Sequence, residues 1–335
     1  MSAQLVVRVL REPGSALSLD AAGWTELIAA ARAEQIIGTL AHRVDGLKIP
    51  PAAAQILADA RASAEQGRIA ALWEAEMARR ALAPAGIPVL LLKGTAFVAA
   101  GLKAGQGRSI GDLDILVPRD RLDAAEAALL AAGWEWVKPD PYDDAYYRRW
   151  MHELPPMIHR DRDRMIDVHH TILPLTARVR PDAAGLIARA VEIAPGLRML
   201  APDDVIVHAA AHLIADGDLA GGLRNLWDIH CLVEEFGVEG LEARARHHGL
   251  WPAVARSLRL AHALYGTELP PEWLRGDALD ALLLRRILSR DGWGRRTRKL
   301  TEFGFYLRGH WLRMPPAMLA RHLWIKWRGG HRPVG

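Results

Sequence analysis

Asp112 and Asp114 stand one residue apart in the segment RSIGDLDILV. On a strand, residues two apart share a face, so the two carboxylates project together while Leu113, Ile115 and Val117 point into a core. Carboxylates held side by side repel one another unless a cation lies between them. Magnesium takes oxygen ligands and is often held by one or two carboxylates together with substrate phosphates. An Asp-x-Asp at an exposed strand end is therefore a candidate Mg–nucleotide site, with a solvated strand end carrying two acids as the plainer alternative.

Three neighbouring features favour the site. The run LLLKG ends at Gly94 and opens a helix at Thr95, whose free N–H groups and positive dipole end suit a phosphate. Lys93 and Arg108 place cations beside it, with Ser109 in the adjoining loop. Asp167, in RMIDVHH, adds a third carboxylate from a separate strand.

The elements that must position these residues are readable from periodicity. IPVLLLKG reads as a buried strand, TAFVAAGL as a helix and GQGRSIG as a loop. DLDILV alternates as a strand, RLDAAEAALLAAGW is a helix ending at Gly133, and WEWV and RMIDVHH read as further strands. Together they predict a mixed α/β core over about residues 85–175. Upstream, Leu27, Ile28, Ala31, Ile36 and Leu40 fall near helical spacing, and a long helix runs from Pro50-Pro51 to just before Pro84. From Pro202 the pattern is helical again, to about residue 290. The expected layout is a helical region 1–84, an α/β core 85–175, a helical region 176–292 and a basic, aromatic tail 293–335.

LLKG, RSIGDLDILV and MIDVHH together resemble the nucleotidyltransferase fold of the polymerase-β superfamily, and within it a branch of uncharacterised bacterial nucleotidyltransferase-like proteins. That branch carries Lys-Gly where the superfamily has Gly-Ser, followed by Arg-x-x-x-Asp-x-Asp and a later Asp-x-His strand. HAAAHLIADG and LRNLWDIHCLV resemble its helical C-terminal half, so the likeness covers about residues 85–235. The resemblance implies a metal-dependent transfer of a nucleoside monophosphate from an NTP, ATP first among them, to a hydroxyl acceptor, with release of pyrophosphate. It implies that Asp112 and Asp114 bind two Mg2+ (or Mn2+) ions, and that Asp167 completes the ion nearest the acceptor and helps deprotonate its hydroxyl. Gly94 and Thr95 would approach the triphosphate, neutralised by Lys93 or Arg108. The resemblance leaves the acceptor open among a protein, an RNA and a small molecule. Because Gly-Ser is replaced, a nucleotide- or partner-binding protein with weak or no catalysis is the alternative on the same fold.

Other residues admit two readings each. His169 shares the face of Asp167 and either contacts a phosphate or the acceptor, or is a half-buried strand-end histidine. His208 and His212 have the i,i+4 spacing of a metal pair, but no H-E-x-x-H motif and no evident third ligand, which makes a packed or surface pair the simpler reading. Arg224 and Asp228, also at i,i+4, form a helix ion pair or reach toward the nucleotide.

The 335 residues allow two domains or one core with large additions. The single cysteine, Cys231, excludes a disulfide scaffold and a Cys-rich zinc site. No run of 18 apolar residues predicts a membrane span, and Arg8 and Arg11 interrupt any signal-like stretch, so the expected location is cytoplasmic. The net charge of +4 is uneven: residues 293–335 hold ten Lys/Arg and one acid, Glu302, leaving the remainder acidic. Trp293, Phe303, Phe305, Tyr306, Trp311, Trp324 and Trp327 are interleaved with those cations. The mixture suits stacking on nucleic acid, contact with an anionic membrane surface, or a helical extension packed on the body with its cations in water; the last is the plainest.

Overall fold

A computed structural model describes residues 2–137, 141–215, 217, 219, 221–313 and 324. The N-terminal helices are α1 (Ser2–Arg11), α2 (Ala21–Ala33), α3 (Ile37–Arg43) and α4 (Pro51–Leu82). A proline at the first helical position of α4 costs nothing, because that N–H has no intrahelical acceptor. The mixed core follows as β1 (Val89–Leu91), α5 (Lys93–Ala99), β2 (Asp112–Leu116), α6 (Leu122–Ala131), β3 (Trp134–Trp136), α7 (Pro141–Trp150), β4 (Met157–His159) and β5 (Met165–His169). Next come α8 (Ala183–Ala188), β6 (Val191–Ala194) and β7 (Leu197–Met199). The chain then turns helical through α9 (Pro202–Ala210), α10 (Gly222–Phe236), α11 (Leu241–His247), α12 (Trp251–Tyr265), α13 (Ala278–Ile287) and α14 (Lys299–Arg313). A π-helical turn, Ala211–Ala215, continues α9.

The seven strands form one mixed sheet in the order β3-β4-β5-β2-β1-β7-β6. β2 lies at its centre, antiparallel to β1 and parallel to β5, with Asp114 opposite Asp167 and Asp112 opposite Met165. This register alone puts carboxylates from two strands on one face. Helix α4 packs on β1, β2, α5 and α6, while α10 packs on α9 and α12. A single buried hydrophobic cluster runs from α1 through the sheet to α13 and Phe305.

Three differences from the sequence expectation stand out. The region from 176, read as helical, contains the β6–β7 hairpin, turned by Pro195-Gly196 with Gly196 at φ +74°. The polar stretch after β3 contains helix α7, and α5 begins at Lys93, not Thr95. Residues 314–323 and 325–335 of the basic tail, including Trp327, lie outside the described residues. No described helix is long and apolar enough to cross a membrane.

Candidate active site

The carboxylate oxygens of Asp112, Asp114 and Asp167 converge within 4.8 Å of one another. Asp112 is exposed at the strand tip, Asp167 is half-buried, and Asp114 is buried at 3 % exposure. A solvated strand end therefore does not describe Asp114. Two partners make its burial tolerable. Lys93 Nζ lies 2.7 Å from Asp114 Oδ1, and His169 Nε2 donates to the same oxygen at 2.9 Å. Burial opposes the charge on Asp114, but Lys93 and His169 outweigh it and hold the carboxyl well below its ordinary range.

Asp167 has no such help. Its Oδ1 is buried without a hydrogen-bond partner. Burial first, and then the charges of Asp114 and Asp112, push its pKa up to about 7, with Lys93 acting weakly the other way. Asp112 is raised as well: the residue reaches solvent at the strand tip, but the packed cluster desolvates its carboxyl, and the charge of Asp114 adds to that. Three acids around one gap, two of them raised and one with an orphaned oxygen, form an all-oxygen donor set suited to a hard divalent cation. The residues thus fit Mg2+ or Mn2+, with Lys93 as a competing cation on Asp114.

Lys93 reaches Asp114 because its backbone turns into the left-handed region, φ +49°, immediately after β1. That conformation costs a side-chain-bearing residue on the order of 1–3 kcal/mol and persists only where its surroundings enforce it. Gly94 follows for a steric reason. A Cβ there would meet Arg108 Nε at 2.5 Å. Arg108 in turn is committed: its guanidinium forms an ion pair with Asp228 and lies 5.5 Å from the Phe97 ring. We expect Gly94→Ala to cost about 1–3 kcal/mol by overpacking, and to cost little when Arg108→Ala removes the obstructing side chain. A double-mutant cycle by urea denaturation checks this, and an unchanged penalty in the Arg108→Ala background would refute the contact.

The structure places the other sequence candidates as follows. Thr95 is buried and its hydroxyl donates to Asp112 O at 3.5 Å, while Ser109 is exposed on the loop. Arg224 donates twice to the carbonyl of Gln35 and lies 3.6 Å from Asp228 Oδ1, so Asp228 sits between two arginines. Burial, with Arg108 adding to it, pulls Arg224 down to about 10 against the pull of Asp228. Arg108, Arg224 and Asp228 are thus a buried brace behind the loop that precedes β2. That loop is clamped from the other side, where Thr39 Oγ1 donates to Gln106 O at 3.0 Å and Gly38 meets Gly107. A Cβ on either glycine would stand 2.3 Å from backbone atoms of the other.

His208 is buried and driven down to about 3, by burial first and then by the nearby His212, Lys93 and His169. It is a neutral packed histidine. His212 sits on the π-helical turn, half-buried. Among the described residues, neither histidine belongs to a group of three or more metal-capable side chains.

Sequence reasoning missed Glu153 and His152. Glu153 Oε2 lies 3.3 Å from His169 Nδ1, and a β-bridge joins Glu153 to His169. The His152 and His169 rings are 5.2 Å apart. The only available signal was the dipeptide His152-Glu153 within a polar, Pro-containing stretch to which the pattern assigns no element. Glu153 braces the ring that braces Asp114. Burial, its largest influence, lowers the basicity of His169.

Comparison with curated proteins gives no match to this chain. Comparison with family models matches residues 20–266 to a family described as uncharacterised nucleotidyltransferase. The match spans α2 through α12, most of the chain and the whole acidic cluster, and the protein therefore belongs to that uncharacterised nucleotidyltransferase family.

Proposed function

We propose that the protein transfers a nucleoside monophosphate from an NTP, ATP first among the substrates to test, to a hydroxyl acceptor and releases pyrophosphate, in a reaction dependent on Mg2+ or Mn2+. The observation that carries this reading is the convergence of Asp112, Asp114 and Asp167 within 4.8 Å, with one buried oxygen of Asp167 unpartnered. Asp112, Asp114 and Asp167 are the residues that would hold the metal. Bound there, divalent ions neutralise phosphate charge and stabilise the attacking and leaving oxygens of an in-line displacement.

The chain's own groups divide the remaining work. The Asp167 carboxylate accepts the acceptor's hydroxyl proton as the new oxygen–phosphorus bond forms and the α–β phosphoanhydride bond breaks. Lys93 neutralises Asp114 in the free protein, and a phosphate oxygen is the alternative anion for the same ammonium. Ser109 offers an exposed hydroxyl on the loop that leads into Asp112, and Gly94 and Thr95 lie in the first turn of α5 after β1. Arg108 acts through Asp228 as a positioning residue for the loop that carries Ser109 and Asp112. Glu153 and His169 fix the rotamer of Asp114.

The double substitution Asp112→Asn with Asp114→Asn is expected to weaken Mg–ATP and Mg–GTP binding at least about a hundredfold, roughly 2.7 kcal/mol. Isothermal titration measures it, and unchanged binding removes the proposed site. The pairing of Lys93 with Asp114 supports a second reading, in which the site binds nucleotide without turning it over. Incubation with labelled NTPs and cell extract separates the two. Labelled product that vanishes in Asp167→Asn establishes transfer; metal-dependent binding with no product under any acceptor supports the second reading.

A further inference from the structure

Helix α14 carries apolar side chains on both its inward and its outward side. Its inward side carries Phe305, 4 % exposed, and Gly309, which packs so closely that a Cβ on Gly217 would stand 2.7 Å from the Gly309 Cα. Arg308 anchors the same side by donating to Gly217 O at 2.9 Å. The outward side presents Leu300, Phe303, Leu307 and Trp311, spaced i, i+3, i+7 and i+11, which is a single stripe along a helix. Their exposures run from 41 % for Leu307 to 89 % for Leu300, and Trp293, in the segment that leads into the helix, is 70 % exposed. A folded helix that buries Phe305 and packs Gly309 and Leu312 against Gly217, yet leaves four large apolar side chains on its other side well exposed, has a face built to be covered.

We propose that this outward face of α14, with Trp293, docks onto an anionic lipid bilayer. Charge selects that occupant. Between Trp293 and Arg313 the chain carries six Lys/Arg and the single acid Glu302, which is already paired with Arg296. Arg295 and Lys299 are exposed at the start of the stripe, and residues 314–335 add four more cations, no acid, Trp324 and Trp327. A second copy would bring the same positive charge to the same face, which like-charge repulsion disfavours. An anionic headgroup layer meets the cations, while the leucines and aromatics enter the headgroup–acyl boundary, where tryptophan and tyrosine rings are well placed. The leucines count against nucleic acid, since base stacking uses aromatic and guanidinium planes. The surface lies outside residues 20–266 matched by the family, so it is an addition to the transferase body and does not rest on the reaction assigned to it.

Vesicle co-sedimentation of the full chain tests the proposal. With phosphatidylcholine vesicles containing about one-third phosphatidylglycerol, the protein is expected to sediment, with partitioning about tenfold or more weaker on pure phosphatidylcholine. Raising salt from about 0.1 M to about 1 M, which shortens the screening length from about 10 Å to about 3 Å, weakens the binding. The variant Leu300→Ser, Phe303→Ser, Leu307→Ser loses partitioning by about tenfold or more with an unchanged circular dichroism spectrum, because its three positions are exposed, whereas Trp311, whose ring lies 5.9 Å from Arg178, is left in place. Should that variant fail to fold, Arg295→Glu with Lys299→Glu replaces it and is expected to lose the preference for anionic over neutral vesicles. Equal binding to neutral vesicles, or full binding by both variants, overturns the proposal. So does a concentration-dependent dimer in sedimentation velocity, or an RNA mobility shift, that the stripe variant abolishes while wild type ignores the vesicles.

Discussion

Asp228→Ala is expected to destabilise the protein by about 3–5 kcal/mol, the cost of leaving buried cations without their counter-charge. Asp228 is 3 % exposed and stands between Arg108 and Arg224, the latter also buried. Neither arginine is free to turn toward water, because Arg224 is held to the Gln35 carbonyl and Arg108 lies between Phe97 and Gly94. Urea denaturation should show a lower midpoint with little change in slope, which marks lost stability without a changed unfolded state. The loss should shrink when Arg108→Ala is added, since one of the two stranded charges is then gone. A cost under about 1 kcal/mol for Asp228→Ala would mean the two guanidiniums are not stranded, and the brace would have to be abandoned.

Asp167→Asn is expected to stabilise the metal-free protein at alkaline pH while lowering transfer on the order of 10²–10⁴-fold, the range for removing a general base. Folding raises this carboxyl from 3.8 to about 7, so between those values the folded state keeps a proton that the unfolded state has released. Stability must then fall as pH climbs through that window, by a few kcal/mol in total, and stay low above it. The three acids interact, so the window belongs to the cluster as a unit. Melting temperatures from pH 5 to pH 9 in chelator should decline more for wild type than for Asp167→Asn. Added Mg2+ should restore wild type most at high pH, because ligand that binds only the folded state stabilises it. Parallel curves for the two proteins would show that Asp167 carries no such strain.

The Asp-x-Asp pair and Asp167 were readable in advance because period-two alternation survives in strands of five residues. The long helix α4 was readable from its prolines. Strands of three or four residues such as β4, β6 and β7 offer too few positions for alternation, and the Pro195-Gly196 pair, a turn signal, goes unused in a helical reading of residues 176–292. The burial of Asp114 was not legible at all. It depends on the left-handed backbone of Lys93 and on a histidine from β5, neither of which leaves a mark in local pattern. Glu153 was hidden for a related reason: its role arises from a single long-range bridge to His169. Arg108 read as a phosphate ligand because its partner Asp228 lies far along the chain, and only the tertiary fold joins them.

The facing pair Gly38 and Gly107 has an evolutionary corollary. Each meets the main chain of the other, so no change of side chain at one can make room for a methyl group at the other. The carboxylate corner is consequently not portable. A graft that moved only the strands would leave the loop before Asp112 uncast, because its mould is helix α3.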